Sequence, residues 1–185
     1  MTSDPIYSDW NPDSAPVIDP SVKFGVNCRF HPFVTIGAVP FSFRKGIPRV
    51  RKPVLAGVLI GDDVEILSHT NIDRGTERDT TIGDGTRIDR LVHVAHDAQI
   101  GKYCILVAGT IVGGFVVLED EVYIGMNVSI KPRVRIGKGA LIGAGSVVLG
   151  DIPACEVWAG NPARYLRCNH DTTGLGNSCC SCGAS

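Results

Sequence analysis

Residues 82–153 read IGDGTR IDRLVH VAHDAQ IGKYCI LVAGTI VGGFVV LEDEVY IGMNVS IKPRVR IGKGAL IGAGSV VLGDIP, twelve blocks of six without a slip. Every block opens on Ile, Val or Leu, from Ile82, Ile88 and Val94 through Ile142 and Val148. Its fifth place holds a small or β-branched residue, as at Thr86, Val92, Ala98, Cys104 and Thr110. A fixed short period is the signature of a solenoid. Each block makes one short strand and one turn. The first place points inward, the fifth fills a corner, and Gly, Asp or Asn at the second to fourth places turn the chain. Three blocks close a triangular coil of eighteen residues, so residues eighteen apart stack. One coil cannot bury its own apolar face, but a stack of coils can.

The period extends beyond this run. Ile18, Phe24, Phe30 and Ile36 keep the six-residue step, with Val22, Cys28 and Val34 at the corners. Register lapses at Pro40 and returns at Val54, Ile60, Ile66 and Ile72. Ile82 follows Ile72 by ten residues instead of six, which predicts a four-residue bulge at 78–81. The expected organisation is an irregular lead-in at 1–16 and an all-β, parallel β-helix at 17–153. A loop leaves the helix at 40–53, a C-terminal cap covers 154–167, and a flexible Cys-rich tail spans 168–185. Solenoid insertions lie on one face, often the binding face. The loop is basic at Arg44, Lys45, Arg49, Arg51 and Lys52. It reads either as a solvated loop or as a docking surface for phosphates or an acidic carrier protein.

Composition narrows the function. A net charge of -1 gives no global attraction to nucleic acid or anionic membrane. No apolar run reaches the roughly 20 residues of a membrane span. The opening MTSDPIYSDWNPDSAP has no basic segment followed by an apolar one, so a cytoplasmic protein with reduced cysteines is expected. The tail spacing of Cys168, His170, Cys179, Cys180 and Cys182 does not match zinc knuckles, and no metal or permanently bound cofactor is expected.

His96 occupies the third place of its block and points outward. Eighteen residues on lies Gly114. One coil earlier, after correction for the insertion, lies Arg74. A histidine beside Asp97 has the makings of a general base oriented by a carboxylate. A neighbouring glycine leaves room for a thioester and offers an N–H to an oxyanion. A surface histidine of no consequence is the alternative.

The blocks I-G-x-x-[STAV]-x resemble the hexapeptide-repeat acyltransferases, which implies a left-handed β-helix. Residues 60–101, with Ile72-Asp73-Arg74-Gly75, the four-residue bulge, Ile88-Asp89 and Ala95-His96, resemble the UDP-3-O-acylglucosamine N-acyltransferases. Phe41 and Phe43 fit that family too. His96 falls on its catalytic histidine. The chain enters the repeat directly, so that family's N-terminal uridine-binding domain is expected to be absent. The family's second histidine would fall near Pro132-Arg133, where this chain has none. A lipid A precursor is therefore not the expected substrate. Residues 142–166, ending in Ala159-Gly160-Asn161-Pro162-Ala163-Arg164, resemble the C-terminal signature of acetyl-CoA-dependent sugar acetyltransferases.

These resemblances imply a homotrimer that transfers an acetyl group from acetyl-CoA, as co-substrate, to the amine of a nucleotide-linked amino sugar. His96, Asp97 and Gly114 are the expected catalytic residues. His69, Asp73 and Arg74 are expected to grip the acceptor. Gly114, Lys131, Ala159, Gly160 and Arg164 are expected to hold coenzyme A. Three other readings stand beside this one. The first is transfer of a longer acyl chain from an acyl-carrier protein, or O-acetylation of a sugar. The second is zinc hydration chemistry, as in γ-class carbonic anhydrases, using His69, His93 and His96. The third is a non-catalytic scaffold.

Overall fold

The computed structural model describes residues 15–44 and 46–169. The expected lead-in, apart from Ala15 and Pro16, and the tail beyond Asn169 lie outside the described residues. The chain forms a parallel β-solenoid of about eight turns, consistent with the left-handed β-helix. Strands mostly of two or three residues stack into three walls. One wall carries Val17–Ile18, Thr35–Ala38, Asn71–Asp73, His93–Val94, Ile111–Val112, Ser129–Ile130 and Val147–Val148. The eighteen-residue step is the ladder register: Val94 sits opposite Val112, Ile88 opposite Leu106 and Ile100 opposite Leu118.

The first places build the core. Ile66, Ile72, Val94, Leu106, Ile124, Ile136 and Ile142 are all 0% exposed. Each such side chain contributes about 1.5–3 kcal/mol relative to an exposed one. Corner residues are sealed as well. The Cys104 thiol is fully buried and its Sγ lies 3.1 Å from the Glu119 carbonyl oxygen. Burial pushes its pKa up to about 11, so it packs as a small apolar residue.

The turn has one fixed feature that the sequence pattern blurs. The fourth place of every block from Gly85 to Gly145 is left-handed, with φ between 53° and 74°. Glycine fills only four of these places (Gly85, Gly109, Gly139 and Gly145). Leu91, Asp97, Tyr103, Phe115, Glu121, Asn127 and Arg133 occupy the rest, at a cost of roughly 1–2 kcal/mol each for a non-glycine residue. The fold, not the residue type, dictates that conformation.

Both insertions differ in detail from expectation. Phe24 pairs opposite Ile60, thirty-six places on, so a full coil's length of chain leaves the stack between them. It is not a bare loop: Phe43–Arg44 and Ile47–Arg51 form an antiparallel hairpin. Arg51 lies 5.0 Å over the Phe43 ring, while Phe41 is 87% exposed. The second insertion lies earlier than 78–81. Thr80–Ile82 is a strand, with Thr81 opposite Leu59 on one side and Gln99 on the other. The four extra residues therefore fall within 74–79, between Asp73 and Thr80. Counting between Ile72 and Ile82 gives the number of inserted residues, but only the ladder shows where they leave it.

The C-terminal cap is also a hairpin. Glu156–Ala159 adds in parallel to Leu141–Ile142, and Arg164–Cys168 turns back antiparallel onto it. Cys168 thus closes a strand and does not open the tail. Cys155, at the start of this hairpin, is 1% exposed.

Candidate active site

Val94 anchors the site from inside the core, fully buried and paired to Ile72 and Val112. Two places on, His96 leaves the wall with 18% of its side chain exposed. Asp97, in the left-handed place with φ 62°, turns its carboxyl back beneath the imidazole and is wholly buried.

The inserted residues account for that carboxylate. Its Oδ2 accepts from the Thr76 N–H at 3.0 Å and the Thr76 hydroxyl at 2.6 Å. Its Oδ1 accepts from the Glu77 and Arg78 N–H groups, both at 2.8 Å. The Thr80 hydroxyl accepts from the Asp97 N–H at 2.9 Å, and Arg78 Nε donates to the Asp97 carbonyl oxygen at 3.1 Å. The four-residue insertion is thus a nest of donors closed around one anion. Burial alone raises the Asp97 pKa. The Thr76 hydroxyl, the Arg78 and Glu77 amides and His96 outweigh it and hold the carboxyl well below the usual range.

His96 Nδ1 lies 2.6 Å from Asp97 Oδ2. An ionised carboxylate only accepts, so in neutral His96 the ring proton sits on Nδ1 and the lone pair on Nε2. That nitrogen faces Gly114. A Cβ built on Gly114 would stand 3.0 Å from His96 Cε1 and 3.1 Å from Nε2. The room left by the glycine is therefore taken by the imidazole itself. The Gly114 N–H has no hydrogen-bond partner among the described residues. Phe115 closes the other side, edge to face with His96 at 5.4 Å between ring centres. Gly114→Ala is expected to push the imidazole off Nε2's line of approach. Turnover should fall about 10- to 100-fold, with thermal unfolding nearly unchanged; steady-state kinetics beside a melting curve checks this.

The other expected site residues divide by position. Asp73 is 6% exposed and accepts from Asn71 Nδ2 at 2.8 Å. Its Oδ2 lies 3.8 Å from His93 Nε2, and His93 Nδ1 lies 3.1 Å from Asn71 Nδ2. Asn71, Asp73 and His93 thus make a polar cluster on the wall that leads to His96. Arg74 sits one rung below His96, but its Nη1 reaches Asp19 Oδ2 at 3.5 Å, and its buried Nε lacks a partner among the described residues. His69 lies on a different corner, stacked on Phe33 at 4.9 Å, below Leu91, whose N–H donates to Ser68. His69, His93 and His96 thus face three different partners.

Lys131 is exposed next to Ile130, whose carbonyl accepts from the Gly113 N–H. Ala159, Gly160 and Arg164 close the top of the stack. Gly160 accepts from the Val147 N–H and donates to Ser146 Oγ. Val147 stands three rungs above His93, about 14 Å at roughly 4.8 Å per rung.

Thr76, Thr80 and Phe115 lie outside the expected site residues, and His93 is expected only as a ligand in the zinc alternative. Thr76 occupies a corner place, which reads as core filling, and Thr80 falls inside the bulge expected at 78–81. Phe115 carries one visible signal, an aromatic at a turn place eighteen residues after Asp97.

Residues 79–114 and 115–150 match the bacterial transferase hexapeptide family, with six repeats in each. The chain is a hexapeptide-repeat protein. It is 42% identical over 138 residues to a UDP-3-O-acylglucosamine N-acyltransferase of Methylorubrum extorquens, and 38% identical over 144 residues to one of Caulobacter. Those matches cover 74% and 77% of this hexapeptide-repeat chain but 39% and 42% of the relatives, so the chain spans about two-fifths of their length. Among solved structures, a UDP-N-acetylglucosamine acyltransferase from Bacteroides fragilis superposes with a TM-score of 0.74 at 28% identity, covering 83% of this chain and 59% of that one.

Proposed function

We propose that this chain is an acyltransferase that moves an acyl group from a thioester to the amine of a nucleotide-linked amino sugar. The observation that carries the reading is His96 with its Nδ1 on a carboxylate fixed by an insertion and its Nε2 against Gly114, whose N–H has no hydrogen-bond partner among the described residues. The relatives' names point to the same chemistry.

His96 Nε2 takes a proton from the amine as nitrogen bonds to the thioester carbonyl carbon. Asp97 holds the resulting imidazolium. The negative charge on oxygen falls to the Gly114 N–H. The C–S bond then breaks, His96 returns its proton to the thiolate, and the products are an amide and a free thiol. Asp73 with His93, on the same wall, orients the acceptor. Following the resemblance, the cleft lies between neighbouring subunits of a homotrimer, which holds donor and acceptor side by side.

The favoured donor is acetyl-CoA. Its support is the resemblance carried by Ala159 to Arg164, a segment whose Gly160 carbonyl accepts from the Val147 N–H and whose Ala163 N–H donates to the Val147 carbonyl, at the top of the wall that carries His93. A longer acyl group on an acyl-carrier protein is the second reading, supported by the relatives' naming as acyltransferases of UDP-3-O-acylglucosamine. A thiol-release assay separates the two. Acetyl-CoA should release thiol only when a nucleotide-linked amino sugar is present. Release from a 3-hydroxyacyl carrier protein alone would favour the second reading. No release from either thioester across a panel of such sugars would contradict acyl transfer.

A further inference from the structure

Beside His96 is a cluster that the proposed mechanism does not use. Phe115 carries two guanidinium groups: Arg133 Cζ lies 4.3 Å from its ring centre and Arg78 Cζ 5.7 Å. The same ring meets the His96 imidazole at 5.4 Å. Arg133 stands where the resemblance led us to expect a histidine.

The three residues come together for a reason of register. Asp97, Phe115 and Arg133 are the left-handed fourth places of successive coils, with φ of 62°, 62° and 68°. The Phe115 N–H donates to the His96 carbonyl and the Arg133 N–H to the Gly114 carbonyl, which locks each to the rung below. Arg78 comes from the insertion, where its own N–H and Nε are fixed on Asp97. The ring and these bonds position both guanidinium groups on rigid elements, as a recognition site needs.

Among the described residues, Arg133 makes no side-chain hydrogen bond or ion pair, and Arg78 uses only Nε. Both are exposed. A guanidinium offers five N–H donors in a planar fork suited to phosphate. Two like charges held on one ring repel each other, and an anion between them removes that repulsion. Two exposed guanidinium groups that form no ion pair among the described residues, beside the candidate base, give a local field suited to an anion.

We propose that Phe115, Arg78 and Arg133 form a phosphate-reading wall of the acyl-transfer cleft. The inference rests on His96 marking the reacting end of that cleft. Phosphate is common to both substrate classes: the nucleotide of the acceptor and the phosphopantetheine arm of the donor. The ring that both cations contact fixes their spacing.

The test is titration calorimetry of the full chain with coenzyme A and, separately, with UDP, at low and high salt. The variants are Arg133→Gln and Phe115→Leu. The exposed Arg133 guanidinium stacks on the ring and makes no side-chain hydrogen bond or ion pair among the described residues, so its replacement is expected to leave the fold in place. One of the two ligands should bind Arg133→Gln about 10- to 100-fold more weakly than the wild type. That loss should shrink at high salt, and Phe115→Leu should show part of it. A loss confined to coenzyme A places the phosphate on the donor, and one confined to UDP places it on the acceptor. Binding of both ligands within twofold of the wild type, or binding of neither by the wild type, would overturn the proposal. The titration needs no turnover, so a failed thiol-release assay counts against acyl transfer and leaves this result standing.

Discussion

His96→Ala is expected to lower kcat by about 10²- to 10⁴-fold while the coils stay assembled. The imidazole is 18% exposed and packs on Gly114 and Phe115, outside the core. Its removal opens space on the surface and costs little stability. What it removes is the acceptor of the amine proton and the donor that reprotonates the thiolate. The expected pattern is a collapse of kcat with KM for both substrates nearly unchanged, read beside an unaltered melting curve. Unchanged turnover in this variant would remove His96 from the chemistry.

Asp97→Asn should have the larger combined effect. Oδ2 accepts from the Thr76 N–H and hydroxyl and from His96; Oδ1 accepts from the Glu77 and Arg78 amides. An asparagine offers one oxygen and one NH₂. Whichever way it turns, the NH₂ faces at least two buried donors. Lost charge-assisted bonds and unsatisfied N–H groups should cost about 2–4 kcal/mol. If the oxygen points at the insertion, the NH₂ meets Nδ1 and forces the other tautomer. The Nε2 lone pair is then lost, and kcat should fall on the order of 10³- to 10⁴-fold.

The stability deficit should also depend on pH in one direction. The native donors hold the Asp97 carboxyl below its unfolded value. Its contribution is therefore complete above the unfolded pKa of roughly 4 and is lost as pH falls through the lower folded value. The wild type and Asp97→Asn should differ most near pH 7 and converge in acid. Denaturant unfolding at several pH values checks this, and a gap that widens in acid would contradict the assigned charge.

The stack was legible because one physical demand repeats: an apolar residue every sixth place, with no alternative way to bury it. His96, Asp97 and Gly114 were legible through the same count, since residues off a strict pattern stand out and the eighteen-residue step says which of them meet. The function of the insertion was not. Thr76, Glu77 and Arg78 hold Asp97 largely through backbone N–H groups, which no residue type advertises. The Arg74 pair with Asp19 spans 55 positions across the excluded hairpin, so the period carries no trace of it. The place of the insertion was misread because inserted residues and strand residues here have the same composition: Thr76 and Thr80 are both buried threonines, and only the ladder tells them apart.

The central claim is that the insertion and Asp97 set His96 as a base through Nε2. Long-range ¹H–¹⁵N correlation of the His96 ring in the intact protein tests it directly, at a pH where that histidine is neutral. The account predicts a proton on Nδ1 and an unprotonated Nε2 in the wild type, with that preference lost in Asp97→Asn. A neutral His96 protonated at Nε2 would contradict it.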